Sequence, residues 1–246
     1  MKQIDTPGIL MEKFKNYIGG MKEIITNKEP VVSKGEEKIS VRIFTNMGDS
    51  ANPLEKVCFM TLENGWIKNN NDGHLLDSSE FTIATFIPSD TWPLPVCCLE
   101  ASFHFNKYLH CTTDIFPASQ NLEYREIYCK PVQELRRKHT DIPGLFVASK
   151  TLLKDYTSGG QMSGDLDWKF NNVSVPWFFE YADLYLRFLN EREQHPILRD
   201  HSIRQEASQT KSSFLEMFRG ATPLILTDVP NLYSDEVAAK LAEMMF

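Results

Sequence analysis

The sequence predicts an α/β protein, a three-layer α/β/α sandwich with a central antiparallel sheet. Strand-like segments follow one another between residues 31 and 116, and helical patterns lie before and after them. This segregation of helices from strands is typical of an antiparallel sheet whose two faces are covered by helices. No linker-like stretch divides the 246 residues, so we expect a single domain that spans residues 1–246.

The first half of the chain supplies the sheet. Residues 8–28 have apolar side chains at helical spacing, with a break at Gly19-Gly20, and predict an amphipathic helix. Runs rich in β-branched and aromatic residues follow and are separated by polar turns. They predict strands at residues 31–45, 56–68, 81–87, 96–105 and 108–116.

The second half of the chain is mainly helical. Residues 121–139 predict a helix that ends before Pro143-Gly144. Residues 155–175 are rich in Gly, Ser, Asp and Asn and predict a long loop. Three further helices are expected at residues 176–193, 197–219 and 234–246.

Composition limits the classes of protein to which the chain can belong. No apolar run reaches the roughly 18 residues of a membrane-spanning helix, and the amino terminus lacks the apolar core of a secretory signal. We therefore expect a cytoplasmic protein, or a plastid protein if a transit peptide has been removed. The net charge of −7 argues against nucleic acid as a partner.

Motifs for bound cofactors are missing from the sequence. The five cysteines, at positions 58, 97, 98, 111 and 129, form no CxxC pair, so we expect free thiols and no metal site. The run Gly159-Gly160-Gln161-Met162-Ser163-Gly164 is the closest approach to GxGxxG, and neither GxxxxGK[ST] nor GxSxG occurs. We expect no intrinsically bound cofactor.

Two carboxylates stand out on neighbouring predicted strands. On both strands the odd positions are the more apolar ones, and the even positions carry Glu100 and Asp114. A three-residue loop near Asn106-Lys107 would pair Glu100 with Asp114, and His104 with His110. Paired residues have Cβ atoms about 4.5–5.5 Å apart, and two acids that close raise one another's proton affinity. The pattern therefore predicts a polar wall suited to proton delivery near neutral pH.

The same segment resembles a known family. Ile87-Pro88, Trp92, Leu94-Pro95 and Glu100, followed by Thr113-Asp114-Ile115-Phe116-Pro117, fall at the spacings of the ferredoxin-dependent bilin reductases and of red chlorophyll catabolite reductase. In the bilin reductases a Phe-Pro-Arg-Pro-x-Tyr-Asp-Leu-Pro run leads to a catalytic aspartate, and Leu-Asp-x-Gln-Pro follows on the next strand. The glutamate at position 100 is similar to that of the catabolite reductase. The resemblance covers about residues 86–140 and implies the same α/β/α sandwich.

The resemblance also implies a reaction. The enzyme would reduce an open-chain tetrapyrrole such as biliverdin, as in phycobilin biosynthesis, by a radical mechanism in which reduced ferredoxin supplies single electrons. Glu100 would be the proton donor and Asp114 its electrostatic partner. Polar and aromatic residues would line the substrate pocket, namely Trp92, Ser102, His104, His110, Thr112 and Ser208. Ser208 occupies the position, ten residues before Phe218, at which the family carries a second acid; Glu206 lies about 200° from it around a helix.

Other interpretations remain open. His104 and His110 are equally compatible with hydrogen-bonded core histidines, and Trp92 with packing rather than stacking on a chromophore. The missing acid at Ser208 favours a tetrapyrrole-binding protein without turnover, and Glu100 favours reduction of a chlorophyll breakdown product.

A basic cluster ends the helix predicted at residues 121–139. Arg136, Arg137 and Lys138 are the cations of this cluster, and cations at a helix end complement its dipole. They would also suit the docking of acidic ferredoxin. We expect the protein to be a monomer.

Overall fold

The computed structural model describes residues 5–28, 38–68, 75–104, 108–139, 145–146, 156–167, 171–228 and 234–246. Within these ranges the chain forms one eight-stranded antiparallel sheet in the order β1-β2-β3-β4-β5-β6-β8-β7. The strands are β1 (Lys22–Lys28), β2 (Lys38–Thr45), β3 (Leu54–Lys68), β4 (Leu75–Pro88), β5 (Val96–His104), β6 (Tyr108–Phe116), β7 (Leu145–Phe146) and β8 (Met162–Asp167).

Six α-helices are present in the described ranges. They are α1 (Thr6–Lys13), α2 (Lys15–Ile18), α3 (Leu122–Lys138), α4 (Asn171–Glu191), α5 (His201–Asp228) and α6 (Asp235–Met245). Two short 3₁₀ turns, Arg192–Gln194 and Pro196–Arg199, join α4 to α5. None of the described helices is long and apolar enough to cross a membrane.

The helices cover the two faces of the sheet as separate layers, which confirms the predicted three-layer sandwich. Helices α1 to α4 pack on one face. There the ring centroid of Phe86 lies 4.2 Å from that of Phe14 and 5.7 Å from that of Tyr185, and both pairs of rings are tilted. Helix α6 and the middle of α5 pack on the other face, where Phe116 meets Phe214 at 4.5 Å. Truncating a fully buried ring such as Phe86 to alanine would destabilise the fold by about 3–5 kcal/mol.

Helix α3 begins and ends almost where the sequence predicts. Asn121 is its N-cap, and its Oδ1 accepts the backbone N–H groups of Glu123 and Tyr124 at 2.9 and 3.2 Å. These two bonds satisfy donors that the first turn of a helix leaves free. At the other end the backbone N–H of His139 bonds to the carbonyl of Arg136.

Two predicted elements are wrong. The helix predicted at residues 8–28 ends at Ile18, and residues 22–28 form the edge strand β1, which pairs with β2 along its whole length. Ile24 and Ile25 are 41% and 57% exposed and adjacent on this edge strand. In the sequence they continued the apolar pattern of the preceding helix, which is why a single helix was predicted. The loop predicted at residues 155–175 contains strand β8, because pairing with β6 overrides the low strand propensity of its Gly and Asp residues. Residues 31–37 of the strand predicted at residues 31–45 lie outside the described ranges.

Candidate functional site

The hairpin of β5 and β6 determines where the predicted site residues lie. Three residues, 105–107, separate the two strands, so the loop is odd as predicted. The register, however, pairs Glu100 with Thr112 and Cys98 with Asp114. The predicted pairing of Glu100 with Asp114 is therefore wrong by two residues. A shift of two keeps every side chain on its own face, so the apolar pattern could not distinguish the two registers.

The predicted pairing of His104 with His110 is wrong for the same reason. His104 pairs with Tyr108, and Ser102 pairs with His110. The side chains of Ser102, His104, His110 and Thr112 lie outside the described part of the structure. In the backbone, Ser102 and His104 follow Glu100 on β5, Thr112 pairs with Glu100, and His110 pairs with Ser102.

Glu100 lies half-buried near the middle of the sheet. Its register neighbours are Ile83 on β4 and Thr112 on β6. Because side chains alternate along a strand, Glu100 shares its face of the sheet with Val96 and Cys98. Val96 and Cys98 pack with residues of α5 and α6. Glu100 thus lies on the sheet face on which α5 and α6 pack, and it is half-buried there.

Cys98 lies between the two acids. Burial, together with the negative charges of Glu100 and Asp114, raises the pKa of its thiol to about 12, although the Thr85 hydroxyl acts in the opposite direction. The thiol is neutral at physiological pH. Both carboxylates are close enough to influence this thiol, although they do not face each other directly.

Asp114 is 1% exposed and lies at the edge of the sheet. The β6–β8 ladder ends at the pair Thr113–Met162, and Asp114 is the next residue of β6. Its carboxylate accepts hydrogen bonds from the side chains of Thr157 at 2.9 Å and Ser158 at 2.5 Å. Burial raises the pKa of Asp114 above its ordinary value, although these hydrogen bonds oppose the rise. Sequence reasoning missed Thr157 and Ser158, since no local pattern connects them with a residue more than 40 positions away.

Trp92 and Ser208 lie at the end of the sheet, away from Glu100. Both line a hollow of about 10 Å³ beside Lys211, which is room for about one water molecule. Val96, the first residue of β5, is four residues before Glu100, about 13 Å along the strand. The predicted grouping of Trp92 and Ser208 with Glu100 is therefore not found.

Trp92 packs rather than presenting a free face. Its ring lies against the buried core of the α1–α4 side, and the guanidinium carbon of Arg192 is 4.9 Å from the ring centroid. This arrangement agrees with the packing interpretation of Trp92.

Charged residues on α5 fasten this helix to distant loops. Lys211, one turn beyond Ser208, contacts Asp90 at 2.5 Å, Glu55 at 3.0 Å and the carbonyl of Pro88 at 3.1 Å. Glu206 accepts hydrogen bonds from the Ser119 hydroxyl and, at 2.8 Å, from the backbone N–H of Gln120. Glu206 thus holds the loop before α3 and does not replace the acid missing at position 208.

The basic end of α3 is partly neutralised. The Lys138 ammonium lies 3.0 Å from Glu180, and the His139 ring nitrogen lies 2.9 Å from it. Burial alone would raise the pKa of Glu180, but hydrogen bonds from His139 and Lys138 outweigh it and lower the pKa. Arg137 is exposed and Arg136 half-buried. Among the described residues, no cluster of three or more His, Cys, Asp or Glu side chains could hold a metal ion.

Comparison with known proteins identifies the fold. No known family model and no curated protein sequence matches the chain. Among solved structures, the chain is similar to selenomethionine-labelled phytochromobilin synthase from tomato in complex with biliverdin, with a TM-score of 0.66 and 11% identity. The similarity covers 96% of this chain and 80% of the tomato chain. The two proteins share a fold.

Proposed function

We propose that the protein reduces an open-chain tetrapyrrole, biliverdin or a related bilin, with electrons from reduced ferredoxin. Glu100 would donate the proton that accompanies the electrons. The protein would then be an oxidoreductase that supplies proton donors and a binding pocket, while the partner supplies the reducing equivalents.

The position of Glu100 carries this proposal. It is a half-buried carboxylate near the centre of the sheet, on the face of the α5–α6 layer. The sequence resemblance assigns the catalytic acid of the bilin reductases to this position. The tomato protein of the same fold was crystallised with biliverdin, which shows that this architecture can hold an open-chain tetrapyrrole.

The surroundings of Glu100 suit proton transfer to an apolar, conjugated ligand. Its neighbours on the same sheet face are the buried side chain of Ile83, its register partner on β4, and the neutral thiol of Cys98 two residues before it. A proton donated by the Glu100 carboxyl group to a tetrapyrrole carbon or nitrogen would leave a carboxylate, which must regain a proton before a second transfer. A positioned acid of this kind typically contributes about 10²–10⁴-fold to rate.

Docking of the electron donor would use the end of α3. Arg136 is half-buried and Arg137 exposed at this helix end, and the neighbouring Lys138 pairs with Glu180. A protein with a net charge of −7 needs such a local basic surface to attract an acidic partner.

Two further functions are supported by specific residues. Glutamate at position 100 favours a red chlorophyll catabolite reductase-like reaction on a chlorophyll breakdown product. Serine at position 208, together with the distance of that position from Glu100, favours a tetrapyrrole-binding protein without turnover. Either would use the same face of the sheet.

One assay separates bilin reduction from bilin binding without turnover. Purified protein is mixed anaerobically with biliverdin and reduced ferredoxin, and the products are identified by chromatography. Conversion of biliverdin to a reduced bilin supports the proposal. A spectral shift on binding without bleaching supports the binding protein, and the absence of both contradicts a bilin function.

A further inference from the structure

A buried carboxylate fastens one segment of the chain to the edge of the sheet. Asp114 Oδ2 accepts from the Thr157 hydroxyl at 2.9 Å, and Oδ1 accepts from the Ser158 hydroxyl at 2.5 Å and the Ile115 backbone N–H at 2.8 Å. These three bonds engage both oxygens of the Asp114 carboxyl group with donors from the protein itself.

The same segment, residues 156–161, is fixed from the side of the α1–α4 layer. Gln133 on α3 donates to the Ser158 carbonyl at 2.8 Å, and the Tyr181 hydroxyl on α4 donates to the Gly160 carbonyl at 2.7 Å. A Cβ atom at Gly160 would lie only 2.6 Å from the Val132 carbonyl carbon. The Gly-Gly run that does not fit a nucleotide-binding motif is thus explained by close packing on α3.

Both ends of this segment lead to the face that carries Glu100. Its C-terminal end continues into β8, where Ser163 pairs with Thr112, and Thr112 pairs with Glu100. At its N-terminal end the ring of Tyr156 lies 5.8 Å from that of Phe214 on α5. A displacement of the segment would therefore move the strand beside the Glu100 row and an aromatic ring under α5.

We propose that Asp114 is a positioning residue, which holds residues 156–161 and through them β8 and Tyr156, while Glu100 is the proton donor of the pair. This inference rests on the proposed bilin reduction for its catalytic consequence. It replaces a coupled pair of acids with one acid and one structural clamp.

Three variants test the inference by disturbing the segment in different ways. Asp114→Asn removes acceptor sites, Ser158→Ala removes one donor, and Gly160→Ala pushes the segment from α3 while leaving the carboxylate intact. Asp114→Asn and Ser158→Ala should each raise the KM for biliverdin about tenfold, which corresponds to a lost buried hydrogen bond. Gly160→Ala should also raise this KM, because the added methyl group displaces the segment. The pH profile of kcat should keep its midpoint, since Glu100 is unchanged. The double variant Asp114→Asn/Ser158→Ala should be no worse than Asp114→Asn alone.

Glu206→Gln is the matched control, because Glu206 also accepts from a loop hydroxyl and a backbone N–H, at Ser119 and Gln120. It should leave the KM for biliverdin unchanged. If Ser158→Ala and Gly160→Ala behave like the wild type while Asp114→Asn loses kcat or shifts the pH midpoint, Asp114 acts chemically and the inference is wrong. Should Gly160→Ala not fold, Ser158→Ala alone carries this comparison.

Hydrogen exchange in the ligand-free protein gives a readout that does not depend on any reaction. In each of the three variants the backbone amides of residues 156–161 should exchange about tenfold faster than in the wild type. Unchanged exchange in Asp114→Asn would overturn the clamp even if activity falls. If the wild type reduces no bilin, the proposed function fails, and hydrogen exchange still decides whether Asp114 holds the segment.

Discussion

At the residue scale, Glu100 carries the chemistry that we propose. Glu100→Gln preserves size and most hydrogen bonding but cannot donate a proton. We therefore expect biliverdin to bind normally and the rate of ferredoxin-dependent reduction to fall by about 10²–10⁴-fold. Absorbance spectra recorded under anaerobic conditions would measure both, and a one-electron-reduced bilin should accumulate because electrons still arrive.

Glu206→Gln is again the appropriate control, since it removes the charge of another half-buried glutamate that is engaged in a loop. Near-normal turnover of Glu100→Gln would contradict the catalytic assignment. Loss of biliverdin binding instead would make Glu100 an anchor for the pyrrole nitrogens.

The effect of burial on Asp114 can be tested through the pH dependence of the free energy of unfolding. Because its folded-state pKa is raised, the native protein binds this proton more tightly than the unfolded chain does. The stability that the proton confers is present at low pH and is lost as pH rises through the raised pKa. We therefore expect the free energy of unfolding of the wild type, relative to that of Asp114→Asn, to decrease as pH rises from about 4.

Urea unfolding at a series of pH values measures this difference. The neighbouring thiols of Cys97, Cys98 and Cys129 have raised pKa values, so they do not titrate between pH 4 and 7. A difference that grows with pH would mean that Asp114 is stabilised as an anion.

The two acids also show what sequence alone can determine about a site. Alternation along β5 and β6 predicted correctly that Glu100 and Asp114 lie on the same face of the sheet. It could not fix which residues face each other, because a shift of two residues preserves the pattern. Nor could it reveal that Asp114 bonds to Thr157 and Ser158, because those contacts depend on how a distant segment returns to the sheet edge.

At the scale of elements, the end of α3 tests the docking of the electron donor. Arg137→Glu reverses an exposed charge and leaves the Lys138–Glu180 ion pair in place. If ferredoxin docks there, its kcat/KM should fall about tenfold at low salt, and the difference from the wild type should shrink as salt screens the charges. Biliverdin affinity should not change.

Lys240→Glu on α6 is the matched control for this variant, because it makes the same charge reversal at an exposed helix position in the opposite layer. Equal effects of the two variants would indicate a response to net charge rather than docking at α3.

The elements that were predicted well have strong local signals. Helix α3 has a side-chain cap at Asn121, cations in its last turn and an apolar face, and its limits agree with the prediction to within one residue. Strands β1 and β8 were missed because their strand character depends on pairing with β2 and β6. Propensity within a short window does not contain that information.

At the scale of the whole molecule, the proposed site lies between layers that pack against each other. Glu100 lies on the sheet face that is directed toward α5 and α6. The hydrophobic clusters on both sides of the sheet contain buried aromatic rings. A ligand that binds only the folded state stabilises it, and the gain in free energy of unfolding grows with the logarithm of ligand concentration above the dissociation constant. A bilin bound at this face should therefore stabilise the fold as a whole.

We expect biliverdin at about 100 times its dissociation constant to add about 2.7 kcal/mol to the free energy of unfolding. For a chain of this size this corresponds to a rise in Tm of about 5–10 °C. Thermal unfolding followed by circular dichroism would measure it. Glu100→Gln should show the same rise, because the proposal separates binding from proton transfer, and a closed-ring porphyrin should produce a smaller one. If saturating biliverdin leaves the Tm of the wild type unchanged, no bilin binds the folded protein, and neither the reductase nor the binding protein can be correct.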